Sequence, residues 1–261
     1  MLKRCYEKNR IENYLNKDFS RCLYIYLDYQ KYGLDNENVC FFEQIDNKND
    51  IVTILLLYYN SGLHIYSKDN NCDYEELKEF IYKNNPSAIF AQKNVVDELK
   101  KCMNNSKYLI EYGRVWEVKK FKEVDKTNIK IAQESDFDQI TNLLMEDEDI
   151  SISYTFDGLK KQLIERNKEG YSRNYVIKEN GKVIAHTATG IETNDVAVSA
   201  LTIVDINHRR KGLATLLLNV SFNNLHKEGK KVYLINYTEE SSSLYVKMGC
   251  EVCCEWGKLY N

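Results

Sequence analysis

The segment 201–215 has the sequence features best suited to binding an anion. It reads LTIVDINHRRKGLAT, a β-rich run followed by a short basic loop and the start of a helix. The first N–H groups of a helix lack partners inside the helix and lie at the positive end of its dipole, so this segment could bind a phosphate. Gly212 lets a ligand approach the backbone closely. Arg209, Arg210 and Lys211 add positive charge, which favours a pyrophosphate or a ribose phosphate.

Other patterns for phosphates and metals are weak or absent in the sequence. It contains neither a G-x-x-x-x-G-K-[ST] loop nor a G-x-G-x-x-G turn. The basic segment therefore keeps an alternative interpretation, an ordinary strand-to-helix loop with solvated cations. Cys250, Cys253 and Cys254 come nearest to a metal pattern, but no second Cys pair or His pair at ligand spacing accompanies them. Structural zinc sites are usually built from four such ligands, so we expect no metal site.

Two motifs in the second half of the chain resemble those of one enzyme family. The run R-R-K-G-L-A at 209–214, placed after a strand, resembles the acyl-CoA loop [RQ]-x-x-G-x-[GA] of GNAT-type N-acetyltransferases. Further along the chain, L-Y-V-K-M-G-C at 244–250 is similar to the L-Y-x-x-x-G-F ending of that family's second motif. Together with the predicted order of strands and helices, the resemblance covers about residues 128–260.

The chain departs from the family pattern at four positions. The family often has Pro, Asn, Ala and Phe where this sequence has Ile206, Thr238, Ser241 and Cys250. The Pro and Phe differences concern turn shape and packing, and Thr238 can still cap a helix. None of the four removes the phosphate loop, because its contacts would be made mostly by the main chain.

The resemblance implies an acyl-CoA N-acyltransferase fold in the second half, with acetyl-CoA as co-substrate. In this family two strands splay apart, and the pantetheine arm pairs with the freed backbone groups, which by position belong to Ile203 and Val204. The phosphates would be held by the loop and the first helical turn, namely Arg209, Arg210, Lys211, Gly212, Leu213, Ala214 and Thr215. An N–H near Val204 would polarise the thioester carbonyl, and an amine bound beside it would attack directly in a ternary complex.

Tyr245 is the candidate general acid, because the family's pattern has a phenol there to protonate the departing CoA thiolate. Simple packing is the alternative in a chain with 20 Tyr. No general base is identified, since the strand predicted at 196–204 contains no Asp, Glu or His. Glu192 and His186 are the nearby candidates, and a water chain or an amine that arrives neutral would make either of them unnecessary.

Hydrophobic periodicity and turn signals predict the strands and helices around these residues. In the second half we predict, in order, a strand at 128–132, a helix with Ser135 as N-cap, a helix from Asp157 to Gly170, a hairpin at 175–185 turning at Asn180-Gly181, a strand at 196–204, a helix from Leu213 to about His226, a strand at 232–236, a short helix capped by Thr238 and ending at 248–249, and a strand at 250–260. This order predicts an α/β architecture, a mixed sheet flanked by helices.

The first half is predicted to echo that order. Residues 1–34 look helical, and strands at 39–45, 51–59 and 63–67 are followed by a helix at 74–83, a strand at 88–90, a helix at 95–102 and a strand at 108–118. We therefore hypothesise a tandem arrangement with a degenerate GNAT-like first half. Segment 68–73 lacks R-x-x-G-x-A and carries acidic residues, so we expect no CoA there. The Tyr-rich strands could wall an acceptor pocket or form a homodimer surface, and a packing domain is the alternative.

Length and composition limit the classes of protein to be considered. A chain of 261 residues is long enough for two domains, and the charged stretch 119–127 is predicted to link domains at 1–120 and 128–261. A net charge of −3 argues against nucleic acid as a partner. The longest apolar run, at 51–59, is too short to span a membrane. The lack of an apolar signal segment, with eight cysteines expected to be reduced, predicts a cytoplasmic protein.

Three functional hypotheses remain from the sequence. The first is an N-acetyltransferase that moves an acetyl group from acetyl-CoA to a primary amine, on a small molecule or a protein. The second is a module that holds CoA or a related nucleotide without catalysis. The third is a protein-interaction scaffold whose loop binds no phosphate. Binding of acetyl-CoA separates the third from the first two, and amine-dependent release of CoA separates the first from the second.

Overall fold

The computed structural model describes residues 1–59, 61–103, 108–120, 123 and 128–260. Contacts between residues divide the chain into two units. The first consists of Met1–Val115, Asn236–Thr238 and Val252–Asn261, and the second of Trp116–Ile235 and Glu239–Glu251. Each unit thus combines separate stretches of sequence, and the contiguous domain ranges expected from the sequence stay a prediction.

The first unit begins at the N-terminus. Its elements are β1 (Leu2–Arg4), α1 (Lys8–Leu15), α2 (Phe19–Tyr32), β2 (Val39–Ile45), β3 (Ile51–Tyr58), β4 (Gly62–Tyr66), α3 (Tyr74–Asn84), β5 (Ala88–Gln92), α4 (Lys93–Cys102) and the greater part of β6 (Leu109–Val118). Its sheet has the order β1-β2-β3-β4-β5, and the segment 256–260 pairs antiparallel with β5. Strands β4 and β5 are parallel neighbours, because α3 carries the chain back between them.

Helices α3 and α4 cover a face of the first sheet. Leu77 and Ile81 of α3 and Val96 and Leu99 of α4 pack in one cluster with Leu55 of β3. Spacings of three and four residues bring apolar side chains to the same side of a helix. These spacings are visible in the sequence, which explains why both helices were predictable.

The second unit contains most of the remaining elements. They are β7 (Ile129–Ile131), α5 (Phe137–Leu144), α6 (Glu148–Ser153), α7 (Phe156–Lys168), β8 (Asn174–Glu179), β9 (Lys182–Glu192), β10 (Val196–Val204), α8 (Leu213–Lys227), β11 (Lys231–Asn236), α9 (Glu239–Lys247) and the first residues of β12 (Cys250–Tyr260). The order in the sheet is β11-β10-β9-β8-β7. Strands β10 and β11 are parallel, and the other neighbours are antiparallel.

Helices cover both faces of the second sheet. The consecutive β9 residues Val183 and Ile184 belong to different core clusters, because successive side chains of a strand point to opposite faces. Val183 packs with Phe137 of α5 and Leu159 of α7. Ile184 packs with Leu217 of α8. The sheet therefore lies between α5 and α7 on one face and α8 on the other, which confirms the α/β class and the mixed sheet.

Most predicted elements are confirmed, with ends that differ by no more than about two residues. The hairpin between β8 and β9 turns at Asn180 and Gly181, with φ of 50° and 82°, as the Asn-Gly pair predicts. Gly170, Gly229 and Gly249, predicted as helix stops, all have positive φ. The turn and stop signals were reliable because few other residue types adopt this conformation.

Three local predictions are wrong. Residues 1–34 are not continuously helical, since β1 precedes the helices and is held by pairing with β2, a contact that periodicity cannot reveal. Ser135 is not the N-cap of α5. It lies in a 3-10 turn over Glu134–Asp136, where Gln133 and Asp136 form a capping box. Helix α6 was not predicted at all, because its six residues are too few for a clear period.

Several other features bear on the sequence hypotheses. Of the predicted linker, residues 121, 122 and 124–127 lie outside the described residues. None of the eight cysteines forms a disulfide. In the described part of the chain, no group of three or more His, Cys, Asp or Glu side chains could hold a metal ion. No helix in the described ranges is both long and apolar enough to cross a membrane.

Candidate functional site

The segment that joins β10 to α8, residues 204–215, is here called the β10–α8 junction. Gly212 is the N-cap of α8 with φ of 78° and ψ of 6°, no side chain caps the helix, and its first turn has no acidic residue. Within the described residues 128–260, the backbone N–H groups of 210–215 donate to no protein acceptor. These donors lie at the positive end of the α8 dipole, where an anion is favoured.

The basic side chains of the junction divide into two roles. Arg209 donates from Nε to the carbonyl oxygen of Val204 at 3.1 Å, and so braces the end of β10. Arg210 and Lys211 are exposed, so their charges can reach an anion bound at the junction. Leu213, Ala214 and Thr215 are half-buried, and they offer backbone N–H groups rather than side chains. The structure therefore brings the predicted phosphate-binding residues together.

A cluster of charged groups holds the junction from the side. His208 lies with Nδ1 3.1 Å from Asp205 Oδ1 and Nε2 3.1 Å from Glu179 Oε2. Lys182 donates from Nζ to Asp205 Oδ2 at 3.0 Å. Hydrogen bonds from His208, Lys182 and the Asn207 backbone hold the pKa of Asp205 well below its usual range. Asp205 and Glu179 in turn raise the pKa of His208. The β8–β9 hairpin is thereby tied to the junction.

Strands β10 and β11 separate before β10 ends. Their parallel pairing runs from Val196 with Lys231 to Ser199 with Leu234. Strand β10 continues to Val204, and no further pair with β11 occurs in the described residues. Ile203 and Val204 pair on their other side with His186 and Ala185 of β9. The backbone edge of β10 beyond Ser199 is therefore open toward β11, as the resemblance implied.

Tyr245, the predicted general acid, is half-buried on α9. Its ring contacts Trp116 edge-on, with ring centroids 5.9 Å apart, and it packs against the cluster that contains Leu234 and Phe222. Burial, followed by the nearby Cys250, raises the pKa of Tyr245 to about 12. The hydroxyl group therefore keeps its proton at neutral pH. Packing explains the ring position, and the catalytic role of the hydroxyl stays a prediction.

The two candidate bases are both buried and already engaged. His186 is fully buried, and desolvation lowers its pKa to about 4. Glu192 accepts from Arg173 Nε at 2.8 Å and from Lys230 Nζ at 2.8 Å. Burial alone would raise the pKa of Glu192, but bonds from Arg173, Lys230 and Thr189 outweigh it and lower the pKa. The structure thus gives an amine no access to either side chain, and we retain neither as a base.

Sequence inspection missed two features of the site. The first is the clamp formed by Asp205 and His208, although Asp205 gives a signal, since its side chain accepts from the backbone N–H of Asn207 at 2.9 Å in a local turn. The second is a bulge in β10 at Leu201, which has φ of 54°. Leucine is not a residue type that marks positive φ, so no local signal could have found it.

Comparison with known proteins agrees with this architecture. Residues 145–255 match the family model described as the acetyltransferase (GNAT) domain. This range contains β10, the β10–α8 junction, β11 and α9, together with the helices α6 and α7. No curated protein sequence matches the chain.

Solved structures of this family share the fold across the chain. A GNAT-family acetyltransferase from Colwellia psychrerythraea aligns with a TM-score of 0.63 and 14% identity, covering 100% of this chain and 99% of that one. A GCN5-related N-acetyltransferase from Sphaerobacter thermophilus aligns with a TM-score of 0.66 and 13% identity, covering 100% and 95%. A tandem GNAT protein from the clavulanic acid biosynthesis pathway has a TM-score of 0.56 and 12% identity, covering 85% and 82%. The chain therefore has the GNAT fold, and its residues 145–255 match the GNAT acetyltransferase domain.

Proposed function

We propose that the protein is an N-acetyltransferase that moves the acetyl group of acetyl-CoA to a primary amine in a ternary complex. The observation that carries the proposal is the open edge of β10 beyond Ser199, directly before a helix start whose N–H groups meet no acceptor among the described residues. The open strand edge suits an extended arm that carries amide groups, and the helix start suits a diphosphate. Their succession along the chain fits a ligand that has both parts.

The junction residues would bind the CoA phosphates chiefly through the main chain. The N–H groups of 210–215 supply donors, and Arg210 and Lys211 supply charge. The pantetheine amides would pair with the open edge of β10 at Ile203 and Val204, where Val204 presents its own N–H and C=O because the neighbouring Asp205 N–H bonds to β9. The Val204 carbonyl also accepts from Arg209, but a carbonyl oxygen has two lone pairs and can accept twice.

In the proposed reaction the amine nitrogen bonds to the acetyl carbon while the carbon–sulfur bond breaks. A backbone N–H near Val204 polarises the thioester oxygen, which stabilises negative charge as it develops. Thiols ionise near pH 8.5, whereas the pKa of Tyr245 is raised to about 12. Tyr245 would therefore stabilise the departing thiolate by donating a hydrogen bond, because transfer of its proton to the less basic thiolate is unfavourable. The proton lost by the amine passes to water, which balances the step without a side-chain base.

The proposal is tested with the purified protein. Isothermal titration calorimetry with acetyl-CoA should give saturable binding, and CoA should then be released when a panel of primary amines is added. Chromatography should follow the release, because the protein's own eight cysteines would react with thiol reagents. Absence of binding would refute the proposed co-substrate. The panel should include small amines and peptides with free N-termini, since the acceptor is proposed to be a small-molecule or protein amine.

A non-catalytic CoA-binding or sensor module is the second candidate. It is favoured by the burial of His186 and Glu192, which leaves no side-chain base identified beside the open strand edge. Binding of acetyl-CoA with no amine-dependent release of CoA across the panel would favour this module over the enzyme. The cytoplasmic location predicted from the sequence is kept as part of the proposal for either candidate.

A further inference from the structure

Strand β10 contains a residue in a conformation that its side chain disfavours. Leu201 has φ of 54°, the left-handed region that is costly for any residue with a Cβ atom. It lies in a bulge, because Leu201 and Thr202 together oppose a single β9 residue, Thr187. Such a conformation persists only when the surrounding structure holds it in place.

The bulge changes which face of the sheet the strand presents. Ala197 packs with Leu218 of α8, whereas Ile203 packs with Phe137 of α5. Six residues separate Ala197 from Ile203, so in a regular strand they would share a face. The extra residue therefore decides which peptide groups at the end of β10 point to β9 and which point to the side that β11 leaves open.

Two side chains of β9 hold the bulge. His186 Nδ1 lies 2.9 Å from the carbonyl oxygen of Leu201, and Thr187 Oγ1 lies 2.7 Å from Thr202 Oγ1. Burial keeps the His186 imidazole neutral at pH 7, so it has one N–H group. A carbonyl oxygen only accepts, so that N–H is on Nδ1, and His186 donates to Leu201.

The other ring nitrogen extends the network to α7. Nε2 of His186 lies 3.0 Å from the side-chain amide of Asn174, which is fully buried. That amide lies 3.4 Å from the amide of Asn167 on α7. The Nε2 lone pair requires a donor, which Asn174 supplies when its amide is turned to present nitrogen. The Asn174 oxygen then faces Asn167, whose amide is turned as well so that its nitrogen donates. With both amides assigned in this way, each donor between Asn167 and Leu201 meets an acceptor.

We propose that His186 is a positioning residue for acyl transfer, which keeps Leu201 in its left-handed conformation so that the end of β10 presents its backbone to the thioester arm. This inference rests on the proposed function. Without the hydrogen bond, Leu201 would relax toward an extended conformation and displace the N–H groups of Ile203 and Val204. Phosphate binding by residues 210–215 would persist, because those donors do not depend on the bulge.

The test compares His186→Leu, which removes the hydrogen bond, with His186→Asn, whose amide nitrogen can replace Nδ1. Both are made in the wild-type chain and in a Leu201→Gly chain, because glycine adopts positive φ without strain and should not need His186. In the wild-type background we expect His186→Leu to lower kcat about 30-fold with KM for acetyl-CoA changed less than about 2-fold, and His186→Asn to stay within about 3-fold of wild type. In the Leu201→Gly background His186→Leu should cost less than about 3-fold.

A second measurement does not require turnover. In the wild-type protein the carbonyl carbon of bound [1-13C]acetyl-CoA should resonate downfield of the free thioester, and His186→Leu should lose this shift while keeping affinity within about 3-fold. His186→Gln, which cannot place a donor at the Nδ1 position, replaces His186→Leu if that variant does not fold.

The outcomes separate this inference from the proposed function. Equal losses of kcat by His186→Leu in both backgrounds would overturn the positioning role, because His186 would then act through packing alone. An unchanged kcat and carbonyl shift in His186→Leu would overturn it as well. A wild-type protein that binds acetyl-CoA with a shifted carbonyl but transfers no acetyl group would overturn the proposed function, and loss of that shift in His186→Leu would still support the positioning of the β10 backbone by His186. A wild-type protein that binds no acetyl-CoA would overturn both.

Discussion

The two units contain comparable strand–helix–strand crossovers that end differently. In the first unit β4 and β5 pair as far as Ile65 and Ala91. Just beyond, the side chain of Gln92 donates to the Ser67 carbonyl at 2.8 Å and accepts from the Ser67 N–H at 3.3 Å. In the second unit the corresponding pairing ends at Ser199, and β10 continues with that edge open. A side-chain amide therefore closes one crossover, while the other stays available to a ligand.

The helices of the two crossovers also differ in whether a side chain caps their first N–H groups. Helix α3 is capped by Asp73, which accepts from the N–H of Glu76 at 3.1 Å, and its first turn also carries Glu75. Helix α8 begins at Leu213, its N-cap Gly212 provides no side-chain acceptor, and three basic residues precede that glycine. Acidic residues at the helix start stabilise α3 itself and repel phosphate. The start of α8 thus leaves its N–H groups without a side-chain acceptor, whereas the start of α3 provides one.

The largest expected effect comes from closing the open junction. Gly212→Glu places a carboxylate beside the α8 N–H groups, so we expect the Kd for acetyl-CoA to rise at least about 100-fold, or about 3 kcal/mol. Isothermal titration calorimetry measures this. Gly229→Glu is the matched control, since Gly229 also has positive φ, 77° against 78°, and neither glycine has an atom within 4 Å of an added Cβ. Micromolar binding by Gly212→Glu would contradict the assignment of the junction.

The next effect concerns chemistry in the unit with the open crossover. Tyr245→Phe removes the hydroxyl group proposed to stabilise the thiolate, so kcat should fall about 10- to 100-fold while the Kd for acetyl-CoA stays unchanged. Steady-state kinetics and calorimetry measure the two quantities. Tyr154→Phe, at an exposed tyrosine, should leave both unchanged. If kcat is the same in Tyr245→Phe and wild type, the hydroxyl has no catalytic role and its ring serves packing.

A smaller effect is expected from opening the closed crossover. Gln92→Ala leaves the buried N–H and C=O of Ser67 without their partners, which should lower the free energy of unfolding by about 1–3 kcal/mol. Urea unfolding measures the change, with the exposed Gln30→Ala as control. Acetyl-CoA affinity should not change, because the first unit is predicted to bind no CoA. Recovery of binding in a Gly212→Glu, Gln92→Ala double variant would reveal a second site and contradict that expectation.

The smallest effect is a pH dependence of the junction. Asp205 and then Glu179 raise the pKa of His208, which Lys211 opposes, and Lys182 also contacts Asp205. A raised pKa means that the clamp contributes fully below the ordinary histidine pKa of about 6.5 and is lost as pH rises through the folded-state value. Between pH 6 and 9 we expect the affinity of the wild-type protein for acetyl-CoA to fall about 2- to 5-fold more than the affinity of the His208→Asn variant falls over the same range. Calorimetric titrations at several pH values measure this dependence. The same change of affinity with pH in both proteins would show that the His208 clamp does not affect binding.

The features of the fold and the site that could be predicted from the sequence are those that depend on residues close together in the chain. The start of α8 and the turn at Asn180-Gly181 were predictable because local residue types specify them. The end of the β10–β11 pairing was not, since it depends on how two strands that are distant in sequence diverge. The burial of His186 was equally hidden. His186 lies between Asn174 and Leu201, so we interpret it as a residue that supports the β10 backbone and not as a base.

The order of most elements and a helix start suited to an anion follow from local signals, because hydrophobic periods, glycines and charges act within a few residues. Which backbone groups remain available depends instead on how the chain folds. Gln92 closes the strand edge in one unit, and in the other the bulge at Leu201 and the end of pairing at Ser199 keep it open. The reason is that backbone groups are the same at every residue, so only the positions of distant partners decide which of them are satisfied.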